Sequence, residues 1–254
     1  MNAEPIEPEN GRYRSDLLFV HGLWTTAEIF RPAALGFAHR GWRCEMLDLR
    51  EGGGDALEGW CEALAAHVAT LESPPVLVGH DAGGLVALAV AERTPVRAVV
   101  ASAPLLGGMP SVHPALPVWW ARLRGATLPP PLPDHPAWAI ASQKGRARLA
   151  AALVHERARL VASVRGPLAT PGRPRVPAVL VGYEGDALVS RHLVEITARG
   201  IEADFAGLPG GHYAMLEEPW DAWMSPVQRW LVRNAGEDLL ELRGDEDLDP
   251  DALI

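Results

Sequence analysis

Val76-Leu77-Val78-Gly79-His80-Asp81-Ala82-Gly83-Gly84 is the stretch on which the reading of the whole chain turns. Three apolar, mostly β-branched residues in a row read as a strand buried on both faces. Gly79 and Gly83 stand two positions either side of Asp81, where a sharp strand-to-helix turn presses backbone against backbone and leaves no room for a side chain. Such a turn lifts its central side chain above the end of the strand. Asp81 is therefore a candidate catalytic group, and an aspartate that merely caps the following helix is the competing reading.

Outward from this turn, β-rich runs alternate with helix-like ones, the pattern of crossover connections and a parallel sheet. Leu17-Leu18-Phe19-Val20 reads as a buried strand ending at His21-Gly22, and Glu45-Met46-Leu47 as a second, before a glycine-rich turn at 52–54. Leu57, Trp60, Leu64, His67, Val68 and Leu71 recur at helical spacing, so 56–71 is expected to be a helix. A helix over 84–92 and a strand over 96–101 follow the turn. The alternation resumes with a strand over 178–181, a helix over 190–199, a strand near 201–205 and a helix over 215–233. The expected class is α/β, a mostly parallel central sheet with helices on both faces.

Between the two halves the alternation stops. Residues 105–175 hold eleven of the 23 prolines, Pro129-Pro130-Pro131 among them, and an amphipathic run at 146–164 that is expected to be a helix. The division expected is a core of 1–104 and 176–235, a cap inserted at 105–175, and an acidic tail at 236–254. That tail carries eight acids against Arg243, a net of −7 within the total of −9. The insertion has ten bases against Asp134 and Glu156. Basic helix faces are usually just solvated, but a basic island beside a site can also attract an anionic small molecule.

In open parallel sheets, ligands sit at the carboxyl ends of the strands. His21, Asp81, Asp186 and His212 all fall at such ends, and the last three stand in the chain order nucleophile, acid, histidine. Asp186, in Gly185-Asp186-Ala187-Leu188-Val189, is favoured over Glu184 as the acid, against a turn-forming role. His212 follows Gly210-Gly211 and precedes a helix. Trp24, His21, Tyr213 and, in the insertion, Trp119, Trp120 and Trp138 are candidate substrate contacts; packing is the alternative for the tryptophans, and structural support for His21 and His80.

On these residues the chain resembles the α/β-hydrolase superfamily from Leu17 to Arg233. Its elbow is similar to that of the aspartate-nucleophile branch, the epoxide hydrolases and haloalkane dehalogenases. Its short beginning and the run from Gly210 through His212 to Pro219 resemble compact esterases and hydroxynitrile lyases. The first resemblance implies attack by Asp81 on an sp3 carbon, then hydrolysis of the resulting ester by water that His212 and Asp186 activate. It also implies an oxyanion site at the backbone N–H groups of Leu23 and Ala82. The helpers usual in that branch are absent: none of Tyr13, Tyr183 and Tyr213 lies in the insertion, Trp24 replaces the proline usual after His-Gly-x, Leu23 an asparagine, and Ala82 a tryptophan or arginine. Indoles of Trp119, Trp120 and Trp138, or His113 and His135, are alternative donors.

Two other classes stay open: a lyase or cyclase using Asp81 and His212 as acid and base on an anionic intermediate of specialised metabolism, and a non-catalytic binding protein. Retention of Asp186 and His212 argues against the latter. No cofactor and no metal are called for; Cys44 and Cys61 are far apart and read as buried thiols. No basic stripe interleaved with aromatics suggests nucleic acid, and no apolar run of membrane-spanning length or apolar leader is present, so the expectation is a cytoplasmic protein.

Overall fold

A computed structural model describes residues 3–52, 54–106, 125–130, 140–164 and 170–239 of the chain. Its centre is a seven-stranded sheet in the order β1-β3-β2-β4-β5-β8-β9. The strands are β1 (Ala3–Ile6), β2 (Leu17–Val20), β3 (Cys44–Leu47), β4 (Val76–His80), β5 (Ala98–Ser102), β8 (Ala178–Tyr183) and β9 (Asp204–Leu208). All pairings are parallel except β1 with β3. Every residue of β2, β3, β4, β5 and β8 is buried, as the unbroken apolar runs imply for strands covered on both faces.

The helices are α1 (Arg31–His39), α2 (Leu57–Val68), α3 (Ala82–Ala91), α4 (Gln143–Ala152), α5 (Ala158–Ser163), α6 (Arg191–Gly200) and α7 (Asp221–Leu239). The chain runs from β2 to β3 in one direction across the sheet and from β3 over to β4 in the other. Right-handed crossovers therefore put α1 on one face and α2 and α3 on the opposite one. α7 joins α1, with Phe37 and Trp223 meeting edge to face at 6.2 Å. The reversal leaves the ends of β2 and β4 side by side, the point where such sheets open a crevice.

Four sequence expectations are revised. β1 was not anticipated; its Pro5 suits an edge strand. The sixth expected strand starts at Asp204, because Ile201 closes α6 and Glu202 takes a left-handed turn (φ 56°). The last helix begins at Asp221, separated from a short 3-10 turn at Ala214–Leu216 by Pro219, whose ring disfavours helical geometry in the residue before it. The single helix expected over 146–164 is two, α4 and α5. Between them the chain extends, pairs Thr25 with Leu153, and forms β7 (Glu156–Arg157) against β6 (Thr127–Leu128). Among the described residues no helix is long and apolar enough to cross a membrane.

Candidate active site

The elbow is strained as the glycine spacing requires. Asp81 has φ 57° and ψ −124°, a region that costs a non-glycine residue roughly 1–3 kcal/mol. A Cβ at Gly79 would strike the carbonyl of Gly83, and one at Gly83 would strike the carbonyls of Val20 and His21. The turn is pinned by Asp81 N–H donating to Ser102 O (3.0 Å) and by the Asp81 carbonyl accepting from Gly84 N–H (3.1 Å).

Across the β2–β4 crevice, Leu23 N–H donates to Asp81 Oδ2 at 2.8 Å, and the Ala82 N–H also favours the charged form of the carboxyl. A Cβ on Gly22 would overlap the Asp81 side chain, so only glycine permits this approach. The second oxygen, Oδ1, is buried and has no hydrogen-bond partner. It lies 4.0 Å from His212 Nε2, which is likewise buried and unpartnered. His212 Nδ1 donates to Asp186 Oδ2 at 2.9 Å. Asp186 is held by Leu188 N–H (2.8 Å) and Val189 N–H (3.0 Å) on Oδ1. Three residues far apart in sequence thus form one line, Asp186, His212, Asp81.

Burial pushes the Asp81 carboxyl up to about 7, against the opposing pull of His212 and the two backbone N–H groups. Burial alone would lower His212; the charge and hydrogen bond of Asp186, with Asp81, turn the balance upward. For Asp186, burial is outweighed by His212 and the two N–H donors, and its carboxyl is lowered.

The flanking residues serve the frame. His80 Nδ1 donates to Ser102 O (3.1 Å), and its ring stands 4.7 Å from that of His212; burial and the neighbouring His212 hold it well below the ordinary histidine range. His21 Nδ1 donates to Gly22 O (2.7 Å), and its Nε2 meets Asp48 (3.2 Å) and Leu49 N–H (3.3 Å). Both nitrogens are thus engaged by the protein. Tyr213 is buried with its ring 4.9 Å from His80 and 5.0 Å from His212. Ser102 Oγ and Tyr183 OH share a 2.6 Å hydrogen bond beneath the site. Trp24 is buried with φ 55°, at the crossing of the loop after β2 and the insertion. Trp119, Trp120, Trp138, His113 and His135 lie outside the described residues.

Several bases of the insertion are occupied by the rest of the protein. Arg157 binds Asp55 (2.9 Å) and Gly54 O (3.0 Å), Arg173 binds Glu202 (2.7 Å), and Lys144 and Arg148 approach Glu218 (3.5 and 3.8 Å). Arg146 donates to the carbonyls of Ile140 and Ala141. Arg157, Arg173, Lys144 and Arg148 thus tie the insertion to the core, and Arg146 braces the insertion internally. Among the described residues no group of three or more His, Cys, Asp or Glu is placed to hold a metal ion. One buried acid beside the loop after β2 carries no signal in the sequence: Glu156, counted only as an acid in a basic segment, meets the N–H of Trp24 132 positions away, and no local pattern marks such a contact.

A central parallel sheet carrying a strained elbow under a His–Asp pair defines the class of hydrolase-fold enzymes. Residues 17–225 match the model of the alpha/beta hydrolase family, and the chain belongs to that family. A search of curated protein sequences finds no match. Among solved structures, the chain is similar to a monoacylglycerol lipase from Paleococcus ferrophilus (TM-score 0.75, 19% identity, covering 92% of this chain and 100% of that one). It is also similar to a soluble variant of monoglyceride lipase from Saccharomyces cerevisiae (0.73, 14%, 91% and 92%) and to an enol-lactonase from Burkholderia xenovorans LB400 (0.70, 18%, 91% and 96%). At these identities the likeness is one of fold.

Proposed function

We propose that this enzyme is a hydrolase of the aspartate-nucleophile type, acting on a small organic substrate at an sp3 carbon bearing a strained C–O or a carbon–halogen bond. The observation that carries the reading is the asymmetry of the Asp81 carboxylate: Oδ2 rests on Leu23 N–H at 2.8 Å while Oδ1 is buried and unpartnered. An ester-cleaving serine enzyme keeps its oxyanion donors free for the substrate's carbonyl oxygen. Here the nucleophile's own oxygen occupies the Leu23 donor, which disfavours acyl transfer and favours displacement at a saturated carbon.

The steps balance as follows. An Oδ1 lone pair forms the new C–O bond as the ring C–O or carbon–halogen bond breaks, and the leaving oxygen or halide takes that electron pair. His212 Nε2 then removes a proton from water, and the hydroxide attacks Cγ of Asp81. The charge that develops on Oδ2 is met by the N–H groups of Leu23 and Ala82. Collapse expels the product oxygen, which takes the proton held by the His212 imidazolium, and Asp81 returns to the carboxylate by releasing its remaining proton to the opened-ring oxygen or, with halide, to solvent; Asp186 stabilises the imidazolium formed in between. The insertion at 105–175 is the cap in this reading and supplies the donor for the leaving group.

The test is His212→Gln with an epoxide or haloalkane that the wild type turns over. Attack survives and ester hydrolysis fails, so intact mass gains an adduct that peptide mapping assigns to Asp81. Turnover by the wild type with no adduct on the variant overturns the proposal.

A second reading has one observation in its favour: a carboxyl raised to about 7 and facing His212 suits proton transfer. A lyase or cyclase acting in this way incorporates no label from 18O-water into product or Asp81, whereas the nucleophilic route labels the Asp81 carboxylate over repeated turnovers.

A further inference from the structure

We propose that Glu156, contributed by the insertion between β5 and β8, is a positioning residue for the loop that presents Leu23 N–H to Asp81. This rests on the reading of Asp81 as the reacting carboxylate that Leu23 N–H holds, and is independent of whether Asp81 forms an ester.

The loop leaving β2 turns through Trp24 at φ 55°, a conformation that a bulky residue adopts only when its surroundings impose it. Those surroundings come from the insertion. Val154 N–H donates to the Trp24 carbonyl (2.8 Å), Thr26 N–H donates to the Ala152 carbonyl (3.0 Å), and Thr25 bridges Leu153 in antiparallel register. The insertion thus adds a short backbone ladder to the loop, one residue beyond Leu23.

One donor of that stretch meets a side chain. Trp24 N–H points to Glu156 Oε2 at 3.4 Å, and the other carboxylate oxygen accepts Arg157 N–H at 3.0 Å. Glu156 is completely buried. A buried peptide N–H needs an acceptor, and a buried carboxylate is retained only where it satisfies donors that an apolar residue would leave stranded. Burial raises its pKa, with the N–H groups, Arg50 and His21 opposing. Its hydrogen bonds go to the loop and to its own strand, none to Asp81 or His212, so it acts through the loop. The Trp24 N–H belongs to the peptide unit that begins at the Leu23 carbonyl. That unit is joined through the single Cα of Leu23 to the unit that carries the Leu23 N–H, so holding it restricts the direction in which Leu23 N–H points.

The experiment needs no substrate. In 15N–1H spectra of the wild type, the Leu23 amide proton follows the ionisation of Asp81, with an inflection near pH 7, and Asp81→Asn abolishes that inflection. Glu156→Ala is expected to lose most of the Leu23 excursion while the rest of the spectrum stays folded. Glu156→Gln, which keeps an acceptor oxygen, is expected to restore it. With a substrate in hand, Glu156→Ala lowers kcat by about 10- to 100-fold and leaves KM within about twofold, since a misplaced donor weakens only transition-state binding. A folded Glu156→Ala protein with the Leu23 excursion intact, or Glu156→Gln behaving like Glu156→Ala, overturns the proposal. If Glu156→Ala does not fold, amide exchange in the wild type decides: Trp24 and Val154 protected alike supports it, and Trp24 exchanging as a free loop residue defeats it. Should His212→Gln trap no ester while Leu23 still depends on Glu156, the covalent mechanism falls and this assignment stands.

Discussion

The two ends of the central sheet treat charge in opposite ways. At the amino ends of β2 and β3, Arg43 binds Glu7 (2.9 Å), Asp16 (2.5 Å) and Glu45 (2.6 Å), and Glu45 also meets His67 (2.8 Å). Each carboxylate there has a cation against it. At the carboxyl ends, Asp81 Oδ1, His212 Nε2 and His80 Nε2 are buried without partners, and the backbone at Asp81 and Trp24 is strained. Unpaired buried polar atoms are rare in folded proteins because each costs about 1–3 kcal/mol. The amino end holds the sheet together. The carboxyl end leaves its polar atoms unpaired, which is what the proposed function requires, and the rest of the fold sustains that cost.

Substitutions that sharpen this contrast differ in size. The largest effect is expected at the elbow: Asp81→Asn should lower turnover by at least about 10⁴-fold, equivalent to roughly 5.5 kcal/mol, measured as initial rates on any substrate of the wild type. Gly22→Ala comes next. Its methyl group displaces the Asp81 carboxylate from Leu23 N–H, with an expected rate loss of about 10²–10³-fold and far-UV circular dichroism unchanged. At the other end, Arg43→Ala should cost about 2 kcal/mol in urea unfolding and leave the Asp81 titration alone, because it strands carboxylates around Glu45 without touching the site.

The same Asp81→Asn variant should be more stable than the wild type at pH 8, by about 1–3 kcal/mol. The fold raises the Asp81 carboxyl from 3.8 to about 7, so the native state keeps a proton that the unfolded chain releases. That contribution is complete below pH 4 and disappears as pH rises through 7. The stability difference between variant and wild type should therefore grow from pH 4 to 8 in parallel thermal melts; a constant difference would mean that Asp81 is not raised. For the same reason, single-turnover alkylation should rise through pH 7. The smallest effect is expected at the exposed Glu28–Arg31 pair, where Arg31→Ala should change stability by about 0.3 kcal/mol.

Much of the site is local and was therefore legible. Val76-Leu77-Val78 running into Gly79-His80-Asp81-Ala82-Gly83 states a strand, a turn and a helix within a few residues, and the structure has all three. His212 and Asp186 were readable from their places at strand ends. The insertion was misread where long-range pairing won: 146–164 carries a helical pattern, but 153–157 extends because Leu153 pairs with Thr25, Val154 N–H bonds the Trp24 carbonyl, and Glu156–Arg157 pair with β6. Of the ten bases in that segment, Lys144, Arg146, Arg148, Arg157 and Arg173 engage acids, carbonyls or an aromatic ring of the protein.

The sequence by itself determined the class of fold and the identity of the three aligned groups. Both follow from short-range rules: periodicity, the need for glycine at a collision point, and the tendency of strand ends to carry function. Only the tertiary structure decided which oxygen of Asp81 meets Leu23 N–H and which faces His212, and that Glu156 closes the loop from 132 positions away. Those facts depend on angles and distances between segments that meet only when the sheet is assembled, and residue order does not encode them locally.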